Sequence, residues 1–192
     1  MTSVRIVLGL GNPGRDYART RHNFGALAVK LACERQGIIL IPSLRSRSLL
    51  GEYRNGPDVV AYAFPQTFMN NSGAALDGLQ RRYKLKSLSD LIVVHDELDL
   101  PPGAVRLKAG GGVAGHNGLK SIVAHVGSSD FSRVRIGIGR PVNTQSVVDF
   151  VLAPMSTSQL QGFDAAIAYA ADAIELVLAK GIEPAMNDIN RV

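Results

Sequence analysis

The chain has 192 residues, of which 46% are hydrophobic and 19% charged, a composition typical of one globular domain with a substantial core. This composition argues against disorder. No apolar run approaches the ~20 residues that span a membrane, and the first segment, MTSVRIVLGLG, is too short and glycine-rich for a signal peptide. The single cysteine, Cys33, excludes an internal disulfide and a thiolate metal cluster, so we expect a cytoplasmic protein.

The net charge of +5 is unevenly distributed along the chain. Residues 1–140 contain 19 Lys and Arg against 10 Asp and Glu, whereas residues 141–192 contain 2 against 6. The positive excess therefore coincides with the polar motifs described below. It favours a partner that carries phosphates, although a basic surface without a partner would have the same composition.

The spacing of hydrophobic residues predicts alternating strands and helices. Predicted strands cover residues 4–8, 38–41, 48–54, 59–63, 91–94, 104–108 and 133–138, and predicted helices cover 23–36, 73–83 and 117–126. Ser156-Thr-Ser-Gln159 matches a capping box that begins a last long helix, which Gly181 ends. We therefore expect one α/β domain over residues 1–192, with a twisted, mixed sheet flanked by helices.

A glycine motif after the first strand, Gly9-x-Gly11-x-x-Gly14, matches the fingerprint of dinucleotide-binding proteins. That fingerprint requires a helix that opens directly on the third glycine, so that its N-terminus meets the pyrophosphate. Here Pro13 precedes the third glycine, and the segment from Arg15 to Arg21 is polar and has no apolar stripe at helical spacing. The sequence therefore predicts no nucleotide cofactor.

An imidazole at the start of the first predicted helix, His22, is a candidate general base. With an unperturbed pKa near ~6.5, a histidine can accept a proton from water at neutral pH. Neighbouring arginines and a helix N-terminus would lower that pKa. A useful base here therefore needs a carboxylate that orients the ring and stabilises its charged form.

Three carboxylates follow the predicted strand at 91–94, namely Asp96, Glu97 and Asp99. If the strand continues, Asp96 and His95 point to opposite faces, so these neighbours cannot form the pair. Asp96 would then serve a distant histidine, either His22 or His116. Each of these histidines could equally be a helix cap or a turn residue.

Three asparagines lie in separate turns that contain glycine: Asn12, Asn70 and Asn117. An asparagine amide can donate to a developing oxyanion or hold a water molecule without titrating. Neither the Gly-x-Ser-x-Gly motif of serine hydrolases nor the His-Glu-x-x-His motif of zinc hydrolases occurs in the sequence. The pattern favours hydrolysis by an activated water without a metal or other cofactor, although each asparagine could also be a plain turn residue.

Five blocks of the sequence resemble the bacterial peptidyl-tRNA hydrolase family. They are GLGNPGRDYARTRHN (9–23), PQTFMNNSG (65–73), HDELDLPPG (95–103), GHNGLK (115–120) and RIGIGRP (135–141). The resemblance implies a monomeric α/β fold of three layers, with C-terminal helices from about residue 144 covering the cleft. It also implies cleavage of the ester between a peptide, or an N-blocked amino acid, and the terminal ribose of tRNA, which recycles tRNA from stalled ribosomes.

The resemblance assigns roles to residues by position. It implies that His22 activates water, that Asp96 holds and polarises His22, and that Asn12 senses the first carbonyl of the peptide. It places Asn70 and Asn117 on substrate, water or oxyanion. The remaining implied substrate contacts are Tyr17, Phe68, Met69 and His116, together with Lys108 and Arg135, which resemble a clamp for the tRNA 5′-phosphate.

Two departures from the family pattern stand out. Val113 and Ala114 replace a histidine and a glycine that usually follow the three glycines, which affects the loop and not the base. Phe64 replaces a frequent lysine, which removes one charge expected near the cleft. The alternative from another functional class is a non-catalytic RNA-binding protein on the same fold.

Overall fold

In the computed structural model, residues 3–142 and 144–191 are described; positions 1, 2, 143 and 192 of the predicted domain lie outside them. The strands are β1 (Val4–Gly9), β2 (Ile41–Ser43), β3 (Ser48–Asn55), β4 (Asp58–Pro65), β5 (Leu91–Glu97), β6 (Val105–Ala109) and β7 (Ser132–Gly137). The helices are α1 (Phe24–Arg35), α2 (Ser72–Tyr83), α3 (Asn117–Val126), α4 (Val147–Leu152), α5 (Thr157–Gln161), α6 (Asp164–Lys180) and α7 (Ile182–Ile189).

The seven strands form one mixed sheet in the order β2-β3-β4-β1-β5-β7-β6. The four central strands, β4, β1, β5 and β7, are parallel, whereas β2, β3 and β6 pair antiparallel at the two sides. The carboxyl ends of β1 and β5 therefore lie side by side at one edge of the sheet. In parallel α/β sheets this edge is where ligand sites form.

Helices cover both faces of the sheet, which gives the predicted three layers. On one face, α1 and α6 pack over inward-pointing residues such as Val7 and Val94. On the other face, residues of α2 and α3 pack over Leu8 and Val93. The central strands are buried on both faces, which explains why their sequences are continuous apolar runs without alternation.

Helix α1 approaches the sheet closely at Gly25. A methyl group on Gly25 would lie 2.1 Å from the carbonyl oxygen of Val94 in β5, a distance at which the two backbones would have to separate. Gly9 at the end of β1 makes the matching approach, since a methyl group there would lie 2.6 Å from the Gly25 oxygen. This packing fixes the start of α1 beside the carboxyl ends of β1 and β5.

Most predicted elements are present within one to three residues of their expected ends, but two expectations need correction. The strand predicted at 38–41 instead covers Ile41–Ser43, because Gly37 and Ile38 still bond to the last turn of α1. The predicted long helix after Ser156 breaks near Gly162 into α5 and α6, although the capping box is present. The short helices α4 and α7 were not predicted individually.

None of the helices in the described ranges combines the length and apolar character needed to cross a bilayer.

We expect Gly25→Ala to lower the free energy of unfolding by about 3 kcal/mol or more, because the added methyl overpacks the backbone contact between α1 and β5. Urea denaturation followed by circular dichroism measures this change. Gly112→Ala is the matched control, since a methyl group there meets no atom within 4 Å. Equal stabilities of the two variants would contradict the close contact.

Candidate active site

The candidate site lies where two segments leave the carboxyl edge of the sheet. The segment after β1 leads through a loop and a short 3-10 helix, Arg21–Asn23, into α1. Asp96 is the penultimate residue of β5, beside β1. This arrangement brings His22 and Asp96 together, although 74 positions separate them in the sequence.

Asp96 accepts hydrogen bonds from two imidazoles. His22 Nδ1 lies 3.0 Å from both carboxylate oxygens, and His116 Nε2 lies 3.0 Å from Oδ1. Burial alone would raise the pKa of the Asp96 carboxyl, since the side chain is 3% exposed, but the adjacent His22 and His116 hold its pKa well below the ordinary value. Asp96 is therefore a carboxylate at neutral pH, and both histidines act as its donors.

The contacts of His116 use both of its ring nitrogens. Its Nδ1 accepts from the backbone N–H groups of Gly118 and Leu119 at 3.1 and 3.4 Å, which caps the N-terminus of α3. Nε2 must then carry the proton that it donates to Asp96. Because an imidazolium has no acceptor, protonating His116 would break the cap. His116 is therefore poorly suited to act as a base.

His95 is also excluded as a base by its surroundings. The side chain is buried, and Nδ1 donates to the backbone oxygen of Asp96 at 2.7 Å rather than to the Asp96 carboxylate. Burial and the neighbouring His116 lower the pKa of His95 to about 3. The imidazole thus stays neutral, in agreement with the expectation that His95 and the Asp96 side chain do not pair.

Asp96 thus bonds both of the histidines that the sequence left as alternatives, but His22 keeps a ring nitrogen that makes no further hydrogen bond among the described residues. Its Nδ1 carries a proton toward Asp96, which leaves Nε2 with a lone pair. Burial would lower the pKa of His22, but attraction to Asp96 and the hydrogen bond between them raise it above its ordinary value. A basic ring nitrogen, held by a carboxylate, borders the cavity described below.

Neighbouring residues hold Asn12 through its Oδ1 and its backbone, and these contacts do not use the Nδ2 group of its side chain. Its Oδ1 accepts from the backbone N–H of Met69 at 2.6 Å. Its backbone N–H and carbonyl bond to the side chain of Asn23 at 2.9 Å each. The Nδ2 group of Asn12 is therefore the part that can donate to a ligand. Asn23 was not singled out in the sequence, where it reads as a residue at a helix start.

The other predicted substrate contacts lie around this framework. Phe68 is 58% exposed, and its ring packs edge-on against Tyr17 with centroids 6.2 Å apart. Met69 is buried, and its sulfur approaches Gly118 of α3, beside Asn117. Asn70 and Asn117 are exposed at the starts of their helical segments.

A cavity of about 230 Å³ adjoins the histidine pair. Its lining includes His22, Asp96, His116 and Asn117 on one side and the valines of α4, Val147, Val148 and Val151, on another. Five of the predicted contacts lie outside this lining and form a neighbouring group: Asn12, Tyr17, Phe68, Met69 and Asn70. Asn23 and Gly118 connect this group to the lining.

The two predicted clamp residues lie on one face of the β6–β7 ladder. Lys108 is opposite Arg133, and Arg106 is opposite Arg135, so four cationic side chains share this face. Lys108 and Arg135 are thus diagonal neighbours. Glu97 lies 3.6 Å from Arg135 and forms an ion pair with it. The Nε of Arg135 is buried and has no hydrogen-bond partner among those residues.

The side chains of His22, Asp96 and His116 could also hold a cation. One ligand atom each from His22, Asp96 and His116 lie within 4.8 Å of one another. Two imidazoles and a carboxylate are a ligand set that suits a divalent transition metal. A metal on Asp96 would compete with the hydrogen bonds that the carboxylate accepts, and a metal on His116 Nε2 would take the place of the proton donated to Asp96.

The structure also places the two departures from the family pattern. Ala114 has a φ of 47°, a conformation that glycine adopts more easily, and Val113 packs partly buried against the core. Phe64 is buried, with the ammonium of Lys30 4.8 Å from the centre of its ring. The Phe64 side chain therefore packs beneath Lys30 and not at the open surface.

Fold and site together define an α/β protein with a histidine–carboxylate pair at the carboxyl edge of its sheet, the arrangement of a hydrolase that uses an imidazole as general base. The family model of peptidyl-tRNA hydrolase matches residues 6–192. The chain belongs to the peptidyl-tRNA hydrolase family.

Individual relatives agree with this assignment. A peptidyl-tRNA hydrolase of Frankia casuarinae is 47% identical over 182 residues, covering 95% of this chain and 91% of the relative. One of Idiomarina loihiensis is 43% identical over 180 residues, with 94% and 90% covered. The crystal structure of peptidyl-tRNA hydrolase from Acinetobacter baumannii superposes with a TM-score of 0.88 at 36% identity, covering 98% of this chain and 95% of that one.

We expect Asp96→Asn to lower the pKa of His22 below its ordinary value of 6.5, because burial remains and the attraction to the carboxylate is lost. In the wild type the raised pKa makes protonation of His22 stabilising below pH 6.5, an effect lost as pH rises through the folded-state pKa. In the Asp96→Asn variant the lowered pKa makes protonation of His22 destabilising instead. An NMR titration of the His22 ring measures both values, with His125 as internal reference. An unchanged His22 pKa would contradict the pairing.

Proposed function

We propose that this protein hydrolyses the ester between a peptide, or an N-blocked amino acid, and the terminal ribose of tRNA, and that it thereby recycles tRNA from peptidyl-tRNA released by stalled ribosomes. Membership of the peptidyl-tRNA hydrolase family supports the reaction. The observation that carries the mechanism is the His22–Asp96 pair, in which His22 Nε2 is left with a lone pair while His116 is occupied.

In the proposed reaction, His22 Nε2 takes a proton from a water molecule as that water attacks the ester carbonyl carbon. The bond between the carbonyl carbon and the ribose oxygen then breaks, and protonated His22 returns the proton to that oxygen. Asp96 keeps the imidazole in the required tautomer and stabilises the imidazolium during the reaction. The products are a tRNA with an intact terminal hydroxyl and a carboxylic acid, which loses the second proton of the water to solvent and leaves as a carboxylate.

The asparagines would serve the neutral ester without titrating. We propose that Asn70 and Asn117 bind substrate and the water or oxyanion, since amide donors aimed at a developing oxyanion are worth ~10²–10³ in rate. Asn12 would donate Nδ2 to the first peptide carbonyl and so distinguish peptidyl-tRNA from free aminoacyl-tRNA. The fixed Oδ1 contact with Met69 supports this orientation. Tyr17, Phe68, Met69 and His116 would complete the substrate contacts.

Lys108 and Arg135 are proposed to hold the 5′-phosphate of the tRNA. The forked guanidinium of Arg135 has an unused buried Nε, and Lys108 supplies a compact positive charge on the adjacent strand. The positive charges of Lys108 and Arg133, beside Arg135, would attract the acceptor stem over a longer range.

Further proposals concern the setting of the reaction. The protein would act in the cytoplasm as a monomer, on the acceptor stem and CCA end of its substrate. The C-terminal helices from about residue 144 would cover the cleft, as suggested by the α4 valines beside His22. The reaction would need no metal or other cofactor. A non-catalytic RNA-binding role is less favoured, because it gives no reason for a buried charged pair beside the cleft.

We expect His22→Ala to lower kcat by about 10²–10⁴-fold while tRNA binding is retained, because only the general base is removed. Release of the blocked amino acid from N-acetylaminoacyl-tRNA, assayed with EDTA present, measures this loss. His125→Gln is the matched control, since His125 lies near the end of α3 and contacts Asp77 at 3.8 Å. Unblocked aminoacyl-tRNA should resist cleavage. Substantial turnover by His22→Ala would remove His22 as base, and inhibition by EDTA would indicate a metal.

We expect Lys108→Met and Arg135→Met each to raise KM and to reduce the slope of log binding constant against log salt concentration by about one, because each removes one phosphate contact. Binding of tRNA at several salt concentrations measures the slope. Arg54→Met is the control, since Arg54 is paired with Glu52 on the far side of the sheet. Slopes equal to the wild type in both variants would rule out the clamp.

A further inference from the structure

We propose that Arg133 is a positioning residue, which anchors the glycine segment 110–112 and thereby holds the ammonium group of Lys108 in place for the tRNA 5′-phosphate. This inference rests on the proposed function of Lys108. Neither the sequence motifs nor the mechanism above uses Arg133, although it is the largest of the fully buried side chains.

The first observation is the set of groups that Arg133 binds. Its guanidinium donates to the carbonyl oxygens of three successive glycines: Nη2 to Gly110 and to Gly111 (2.6 Å), and Nη1 to Gly112 (2.7 Å). The flat fork of arginine presents its donors in a fixed, spread geometry, which the compact ammonium of lysine does not reproduce. Three glycines have no side chains of their own to fix the backbone, so this contact supplies the anchor.

The second observation links the same segment to Lys108. A methyl group on Gly111 would lie 2.7 Å from Lys108 Cε, 2.9 Å from its Nζ and 3.2 Å from Arg133 Nη2. The Lys108 side chain therefore runs directly over Gly111, on the side that Arg133 also contacts. Lys108 and Arg133 are opposite each other in the β6–β7 ladder, so both belong to the same face.

The third observation concerns charge. Among the ion pairs of the described residues, Arg133 has no carboxylate partner, and its positive charge is balanced by carbonyl dipoles. Burial, with the nearby Arg135, lowers the pKa of Arg133, while Glu97 acts in the opposite direction. A buried cation is costly unless it is paired or hydrogen-bonded, and the glycine carbonyls supply hydrogen bonds to Arg133. The same bonds fix the backbone against which Lys108 lies. The charge of Arg133 also adds to the field that attracts a phosphate.

The test compares N-acetylaminoacyl-tRNA with and without its 5′-phosphate. For each variant, the ratio of kcat/KM for the two substrates reports phosphate recognition, whatever the amount of folded enzyme. We expect a wild-type ratio of about tenfold. The ratio should fall toward one in Lys108→Met and in both Arg133→Met and Arg133→Lys. In Lys108→Met/Arg133→Lys it should fall no further than in Lys108→Met, because both changes act through one ammonium group.

Two additional variants separate positioning from general destabilisation. Gly111→Ala leaves Arg133 intact but places a methyl against Lys108 at a backbone φ of 92°, so we expect it to lower the ratio as well. Val177→Ala creates a cavity beneath α6, which packs on the face of the sheet opposite to Lys108 and Arg133, and it should reduce the melting temperature with the wild-type ratio retained. If Arg133→Met does not fold, Arg133→Lys and Gly111→Ala still decide the question.

Each outcome has a distinct meaning. No cleavage of either substrate by the wild type would refute the proposed function. Cleavage with a wild-type ratio of one would refute the phosphate clamp and, with it, the role of Arg133. A wild-type ratio retained in Arg133→Lys and in Gly111→Ala, or a fall additive with Lys108→Met, would overturn the positioning role alone.

Discussion

The site depends on one buried carboxylate. Asp96 is 3% exposed, and a charge in that position is tolerated only when hydrogen-bond donors surround it. Two imidazoles supply those donors, and this requirement fixes their tautomers: His22 must present a proton on Nδ1 and His116 on Nε2. The two histidines therefore differ, because His116 uses its second nitrogen to cap α3 whereas the second nitrogen of His22 makes no hydrogen bond among the described residues.

The fold places this carboxylate through backbone contacts. Asp96 lies at the end of a strand buried on both faces, and α1 brings His22 to it because Gly25 and Gly9 allow the helix to approach β5 and β1 closely. Larger residues at these glycines would push α1 outward and lengthen the bond between His22 and Asp96. The geometry of the His22–Asp96 pair is therefore set by core packing as much as by the polar residues, and the bonds of Asn23 to the Asn12 backbone extend the same frame to Asn12.

Local patterns in the sequence were sufficient for six of the seven strands and for most helices, and they singled out the imidazoles and the carboxylate that the structure brings together. Alternation along β5 correctly separated Asp96 from His95, but it could not choose between His22 and His116, because that choice depends on a helix cap formed 20 residues away. Arg133 was not predicted, because its partners also lie far from it in the sequence. Its acceptors are backbone carbonyls of glycines, which leave no side-chain pattern in a sequence.

The unusual glycine loop shows how long-range contacts permit local departures. Ala114 adopts a φ of 47° at a position where the family usually has glycine, a conformation that costs roughly 1 kcal/mol for a residue with a Cβ. Two anchors limit where that strain can relax: Arg133 holds the loop at Gly110–Gly112, and Val113 packs against the α2–α3 side of the core. Because His116 follows directly and is itself fixed by Asp96 and α3, the loop is held at both ends. The valine thus adds apolar packing where the usual histidine would have added a polar contact, and the loop reaches the active site with less freedom than a run of glycines would give it.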